Sequence, residues 1–208
     1  MLIDRSFYLR DDVVRITREV LGKYLFTFVD GKLTGGIISE AEAYAGITDR
    51  ASHAFNGRRT GRTEIMYAEG GIGYIYLCYG VHSMFNIVTN RRDIPEAVLI
   101  RGIYPTQGID HMLLRAGENY KQDKIADGPG KVAKALGIHY SQTGINLTDD
   151  DISDGHTKIW LEDRKLHVYD DDIKVTTRVG VIYSGEDAFR PYRFILKKKP
   201  ASDPFIGY

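Results

Sequence analysis

The chain has 208 residues, 43% of them hydrophobic and 27% charged, enough to bury one sizeable core, which argues for one domain over residues 1–208. Its single cysteine, Cys78, excludes an intrachain disulfide and a multi-cysteine zinc site and reads as a packing residue. No stretch approaches the roughly 20 apolar residues that span a bilayer, so a soluble, cytoplasmic protein with no membrane partner is expected.

Lysine plus arginine and aspartate plus glutamate balance at 28 each, so any nucleic-acid binding would depend on local clusters rather than on net charge. Arg58, Arg59 and Arg62 form one cluster, Arg91 and Arg92 a second, and Lys197 to Lys199 a third. Acidic runs at Asp149–Asp151 and Asp170–Asp172 offset them. The lysine run and both acidic runs read most simply as solvated loops.

In chain order, Asp12 followed by Val13, Val14, Ile16, Val20 and Leu21 predicts a short helix that Gly22 stops. Lys23–Val29 and Leu33–Tyr44 predict two strands joined by Asp30-Gly31, a dipeptide suited to a tight hairpin. Residues 45–71, rich in Gly, Thr, Arg and Asn, predict a long irregular connection of the kind that carries function. Gly73–Tyr79, Ser83–Thr89 and Ala97–Tyr104 predict three strands, with Tyr79-Gly80-Val81-His82 turning between the first two. Thr106–Ala116 and Pro129–Leu136 predict helices, the second stopped by Gly137, and Thr157–Leu161, Val175–Tyr183 and Tyr192–Leu196 predict strands. Few helices intervene between strands, which predicts an α+β domain: a curved, mostly antiparallel sheet with flanking helices and a protruding hairpin.

Period-two alternation puts Glu40, Glu42 and Tyr44 on one strand face and alanines on the other. From that segment alone, solvated glutamates on an edge strand are the better explanation. The same alternation projects Tyr74 and Tyr76 away from Ile75 and Leu77, giving rings that could stack on a base or simply pack across strands. His53 has no partner at metal-ligand spacing, so zinc is disfavoured and no metal or cofactor is expected. Gly128-Pro129-Gly130-Lys131 opens a helix and could hold a phosphate, although proline at a helix start explains it equally well.

Taken together, Glu40-Ala41-Glu42-Ala43-Tyr44, Ala51-Ser52-His53, Tyr74-Ile75-Tyr76-Leu77-Cys78-Tyr79-Gly80, Asn86-Ile87, Leu99-Ile100-Arg101 and Gly128-Pro129-Gly130-Lys131 resemble the alkyladenine (3-methyladenine) DNA glycosylase family. Arg178-Val179-Gly180-Val181 and Arg193-Phe194 continue the match, which covers the chain from about Ser6 to Leu196. The resemblance implies a compact bacterial enzyme of base excision repair that acts as a monomer on double-stranded DNA, without an obligate protein partner. It implies a purine pocket with Tyr44 and His53 against one face of the extruded base and Tyr76 against the other, Tyr74 supporting the wall, and Asn86 at the floor disfavouring guanine. Glu42 and Arg101 would position the attacking water, with the Val179 carbonyl as a third contact, and Tyr79 would wedge into the duplex. Arg58, Arg59, Arg62, Gly130 and Lys131 would meet the DNA backbone. Val81 and His82 depart from the bulkier residues found beside the wedge in some relatives.

This chemistry suits those residue types. Extruding a purine costs roughly a few kcal/mol, which a wedge offsets, and stacking between electron-rich rings would favour a cationic alkylated base by roughly 0.5–2 kcal/mol. A carboxylate can accept the water proton and stabilise an oxocarbenium-like sugar, with Arg101 expected to keep Glu42 ionised. No lysine belongs to the constellation, so no Schiff base is expected and the product is an intact abasic site. Two other readings compete. A non-catalytic single-strand or RNA-binding module would explain the tyrosines but leaves Glu42 and Arg101 unused. A small carbohydrate or nucleoside hydrolase would use Glu40 and Glu42, yet successive same-face positions hold both acids on one side of a sugar.

Overall fold

The longest apolar alternation in the chain becomes its central strand. In the computed structural model, which describes residues 1–117, 121 and 124–200, β2 runs from Lys32 to Tyr44. It pairs along one edge with β5 (Glu96–Gln107) and along the other with two strands in succession. Its first half meets β1 (Tyr24–Val29) through a hairpin in which Asp30 and Gly31 both have positive φ, as the turn chemistry predicts. Its second half meets β8 (Arg193–Leu196), which also pairs with β7 (Ile173–Thr176). The remaining strands are β3 (Gly73–Cys78), β4 (His82–Thr89) and β6 (Lys158–Glu162), and the sheet order is β3-β4-β5-β2-β1-β6 with every pairing antiparallel.

Ile38 and Ala41 both enter the main core although three residues separate them, which strict alternation forbids. Register shifts between Ile38 and Glu40 and between Glu40 and Ala41 absorb the odd residue. Beyond that bulge Ala41 and Ala43 face the core, and Glu40, Glu42 and Tyr44 face away from it.

The main core lies between the sheet and the helices: α1 (Arg5–Tyr8), α2 (Val13–Glu19), α3 (Ile109–Ala116) and α4 (Pro129–Leu136). Ile16, Phe85, Ile87, Ile100, Met112 and Leu136 are wholly buried there. A second cluster, Tyr24, Phe26, Ile37 and Trp160, covers the other face of the β1–β2 hairpin. Asp12 caps α2 by accepting from the Arg15 N–H at 2.8 Å, and Gly137 ends α4 in the left-handed region, as expected.

Several boundaries differ from expectation. Helix α1, capped by Asp4, was not anticipated, and α2 stops at Glu19 rather than Leu21. Thr106 and Gln107 belong to β5, and α3 begins only after Gly108, whose φ of +65 breaks the strand. The strand expected over Val175–Tyr183 ends at Thr176; the chain then turns inward because Arg178 is buried, and residues Ile182–Phe189 form a 3-10 segment kinked at Gly185. Residues 45–71 include 3-10 turns at Gly46–Thr48, Phe55–Gly57 and Glu64–Tyr67. Cys78 is half-buried on the last rung of the β3–β4 hairpin, next to its tip. Among the described residues, no helix is long and apolar enough to cross a membrane.

Gly108 joins β5 to α3 where a Cβ would collide with the Leu33 carbonyl oxygen. Gly108→Ala combines that collision with a left-handed φ, so it should destabilise the fold by about 2 kcal/mol or more. A thermal melt checks this, and an unchanged Tm would show that the β5–α3 junction relaxes freely.

Candidate active site

Cross-strand register assembles the site. One rung of the sheet runs Tyr74, Asn86, Leu99, Glu42, Arg193 through β3, β4, β5, β2 and β8, and residues opposite one another project to the same face. Tyr76, Ala97 and Tyr44 lie two positions along and share that face. The loop of residues 45–71 folds over it and brings His53 against the tyrosines.

Glu42 is 0% exposed. Its Oε1 accepts the Val179 N–H at 2.8 Å and lies 3.3 Å from Arg101 Nε, and its Oε2 accepts the Tyr44 hydroxyl at 2.9 Å. Burial pushes the carboxyl above the usual carboxylate range; Arg101, the Val179 N–H and the Tyr44 hydroxyl pull it down without cancelling that effect. Arg101 is the largest of the influences that favour the ionised form. Arg101 Nε donates to Glu40 Oε1 at 2.7 Å, and Arg193 Nε donates to the same oxygen at 2.7 Å. Glu40 is thus tied up between two guanidinium groups, which leaves it unsuited to act as the second acid of a hydrolase pair. Val179 donates its N–H to Glu42.

A cavity of about 40 Å³ is lined by Tyr44, His53, Tyr74, Tyr76, Asn86 and Tyr183, with Ala51, Ser52, Met66 and Ala97 behind them. The cavity is open to solvent on one side, and its walls are mostly aromatic. His53 stands edge-on to Tyr76 with centroids 4.7 Å apart, and its Nδ1 bonds the Tyr74 hydroxyl at 2.8 Å. His53 thus contacts both Tyr74 and Tyr76 within the cavity that Tyr44 also lines. Tyr44 packs against Ala51, Val181 and Ala188. Asn86 Nδ2 donates to the Tyr74 and Met84 carbonyls at 3.1 and 3.2 Å, which fixes its orientation.

Burial, with Arg62 and Arg58 nearby, lowers His53 to about 4, so it is neutral near pH 7. Both rings expected to stack on the base already meet arginines: Arg178 lies 4.9 Å from the Tyr44 ring centroid and Arg62 lies 4.9 Å from that of Tyr76. A preference for cationic bases through these rings is weakened accordingly.

Sequence reasoning missed the group that holds Val179 in place. The Arg178 and Asp49 side chains are both 0% exposed, and the guanidinium grips the carboxylate with both Nη atoms. It also donates to the Ala43 carbonyl at 2.9 Å and the Asp187 carbonyl at 3.0 Å. The available signal was a lone arginine in an otherwise β-like run.

Tyr79 projects from the tip of the β3–β4 hairpin, 92% exposed with φ +51. Beside it His82 packs over Gly130 at the start of α4. Arg58 is exposed near the pocket. Arg59 is engaged by Glu64 and Asp93, and Lys131 by Asp127 at 2.6 Å. Such exposed pairs are screened by water and exchange readily for other anions.

Residues 6–200 match the family described as Methylpurine-DNA glycosylase (MPG). The chain is similar, at 41% identity, to a Chlamydia felis protein named "Putative 3-methyladenine DNA glycosylase", with 95% of this chain and 97% of that protein aligned. Proteins of the same name from Clostridium perfringens (strain 13) and Bdellovibrio bacteriovorus are each 38% identical, with 95% of this chain and 96% of each relative covered. The aromatic cavity, the buried glutamate and the hairpin tip all fall within the matched residues, and the chain belongs to the methylpurine-DNA glycosylase family.

Proposed function

We propose that the chain is a monofunctional glycosylase that extrudes alkylated or deaminated purines, of the 3-methyladenine, 7-methylguanine, hypoxanthine and ethenoadenine type, and hydrolyses their N-glycosidic bond. The observation that carries this reading is Glu42, a wholly buried carboxylate bonded to a tyrosine that lines an aromatic cavity.

In this mechanism Tyr79 fills the gap left in the duplex, and the base enters with Tyr44 and His53 against one face and Tyr76 against the other. Tyr74 braces the wall, and Asn86 crowds the amino group of an undamaged guanine. The bond from C1′ to the base breaks with its electron pair going to the base, while the water oxygen bonds to C1′ and its proton passes to Glu42. Arg101 and the Val179 N–H orient the carboxylate and offset its burial. A cationic alkylated base leaves neutral, whereas an uncharged base leaves as an anion and takes up a proton from solvent water or from protonated Glu42. Arg58, Arg59, Arg62, Lys131 and the Gly130 backbone meet phosphates. One polypeptide per extruded base suffices, so the enzyme works as a monomer on cytoplasmic, nucleoid-associated DNA.

Incubation with duplexes carrying hypoxanthine, ethenoadenine or 7-methylguanine, followed by hot alkali, should cut only at the lesion. Intact strands for every lesion would favour the single-strand-binding alternative. Glu42→Gln should slow single-turnover excision by at least ~10²-fold while lesion-duplex binding survives; near-normal excision would remove Glu42 from the chemistry.

The pH profile supplies a separate test. Glu42 works as a carboxylate and its pKa is raised, so excision should fall, as pH drops, at a pH above the ordinary glutamate value of roughly 4.3. Arg101→Gln removes the largest lowering influence on Glu42, so it should move this acidic limb to still higher pH. A limb that stayed in place or moved lower would show that Arg101 does not act on the Glu42 proton.

A further inference from the structure

The pocket mouth carries more exposed apolar surface than the hairpin wedge provides. Beyond Val179 the chain turns at Gly180 and enters the 3-10 segment, where Ile182 is 79% and Tyr183 69% exposed. Tyr183 nevertheless lines the cavity, and its hydroxyl donates to the Ala51 carbonyl at 3.3 Å in the loop that carries His53. Tyr76, on the hairpin that ends in Tyr79, lines the same cavity and so links the pocket to the wedge.

The exposure does not come from a loosely held loop. Ser184 Oγ donates to the Val181 carbonyl at 2.7 Å, the Asp187 carboxylate accepts the Arg50 N–H at 2.8 Å, and the Asp187 carbonyl accepts from buried Arg178. Large apolar side chains presented side by side on a fixed segment mark a contact surface. On the hairpin, the wedge is flanked only by Val81 and His82.

We propose that Ile182 and Tyr183 form a second apolar lip beside the Tyr79 wedge, which packs against the extruded damaged nucleotide and holds it out of the duplex. The lip rests on the glycosylase reading, and its occupant follows from its continuity with the cavity and the wedge. Arg58 and Arg62, across the covering loop, supply the charge that a duplex backbone requires. Ile182 and Tyr183 are positioning residues: they touch the nucleotide and leave the water and Glu42 unaffected.

Extrusion is measurable in the Glu42→Gln background, where chemistry is blocked, because ethenoadenine changes its fluorescence on leaving the base stack. Adding Ile182→Ser and Tyr183→Ser together should lower the flipping equilibrium at least about tenfold, with binding to undamaged duplex and Tm as in the Glu42→Gln parent. Tyr183→Phe should retain most of the extrusion. Unchanged flipping in the double variant overturns the lip, and so does an equal loss of binding to undamaged duplex, which would indicate a general backbone contact. Should the double variant fail to fold, the single substitutions Ile182→Ser and Tyr183→Ala decide the matter, each expected to weaken flipping several-fold. No fluorescence change in the Glu42→Gln parent would overturn the glycosylase reading and the lip with it.

Discussion

A carboxylate with no exposed surface has to be compensated by its surroundings, and the site is organised around that demand on Glu42. The compensation comes from far apart in the chain: Tyr44 on the same strand, Arg101 on β5, and the Val179 N–H from the segment beyond β7. The Val179 contact depends in turn on Arg178, which is anchored by Asp49. Removing either member of such a pair would strand a charge in the interior, a far larger penalty than the pair's own net worth. The electrostatics of Glu42 are therefore a property of the completed fold, because no local segment contains all of its partners.

The same dependence decides what could be read from the sequence. Period-two patterns placed Glu42 and Tyr44, and Tyr74 and Tyr76, on shared faces, and the cross-strand rung through Asn86 and Leu99 bears that out. The turns at Asp30-Gly31 and Gly137 were legible because left-handed φ values select few residue types. Contacts set by long-range closure were not legible. Arg178 and Asp49 are 129 residues apart, and nothing local distinguishes Val175–Tyr183 from a strand except the arginine within it. Strand alternation already set Glu40 against a paired-acid role, but its actual partners, Arg101 and Arg193, the latter 153 residues away, were not legible. His53 was placed in the pocket by the family resemblance alone, since the irregular loop that carries it has no periodicity to fix direction.

The pocket combines aromatic walls with positive charge behind and above them. Arg178 on Tyr44 and Arg62 on Tyr76 engage the faces of rings that would otherwise attract a cation. Arg62 and Arg58 also help to hold His53 neutral. Binding a base there depends more on shape and dispersion than on the charge of the base.

The bulge around Ser39 and Glu40 gives β2 two separately addressed halves. Upstream of it, pairing with β1 decides which side chains reach the aromatic cluster of Tyr24, Phe26 and Trp160. Downstream, pairing with β5 and β8 decides which reach the cavity. The parity change between them lets Ile38 and Ala41 both reach the core while Glu42 and Tyr44 face away from it, and β5, paired on both sides of the bulge, ties the reacting end to the scaffold end.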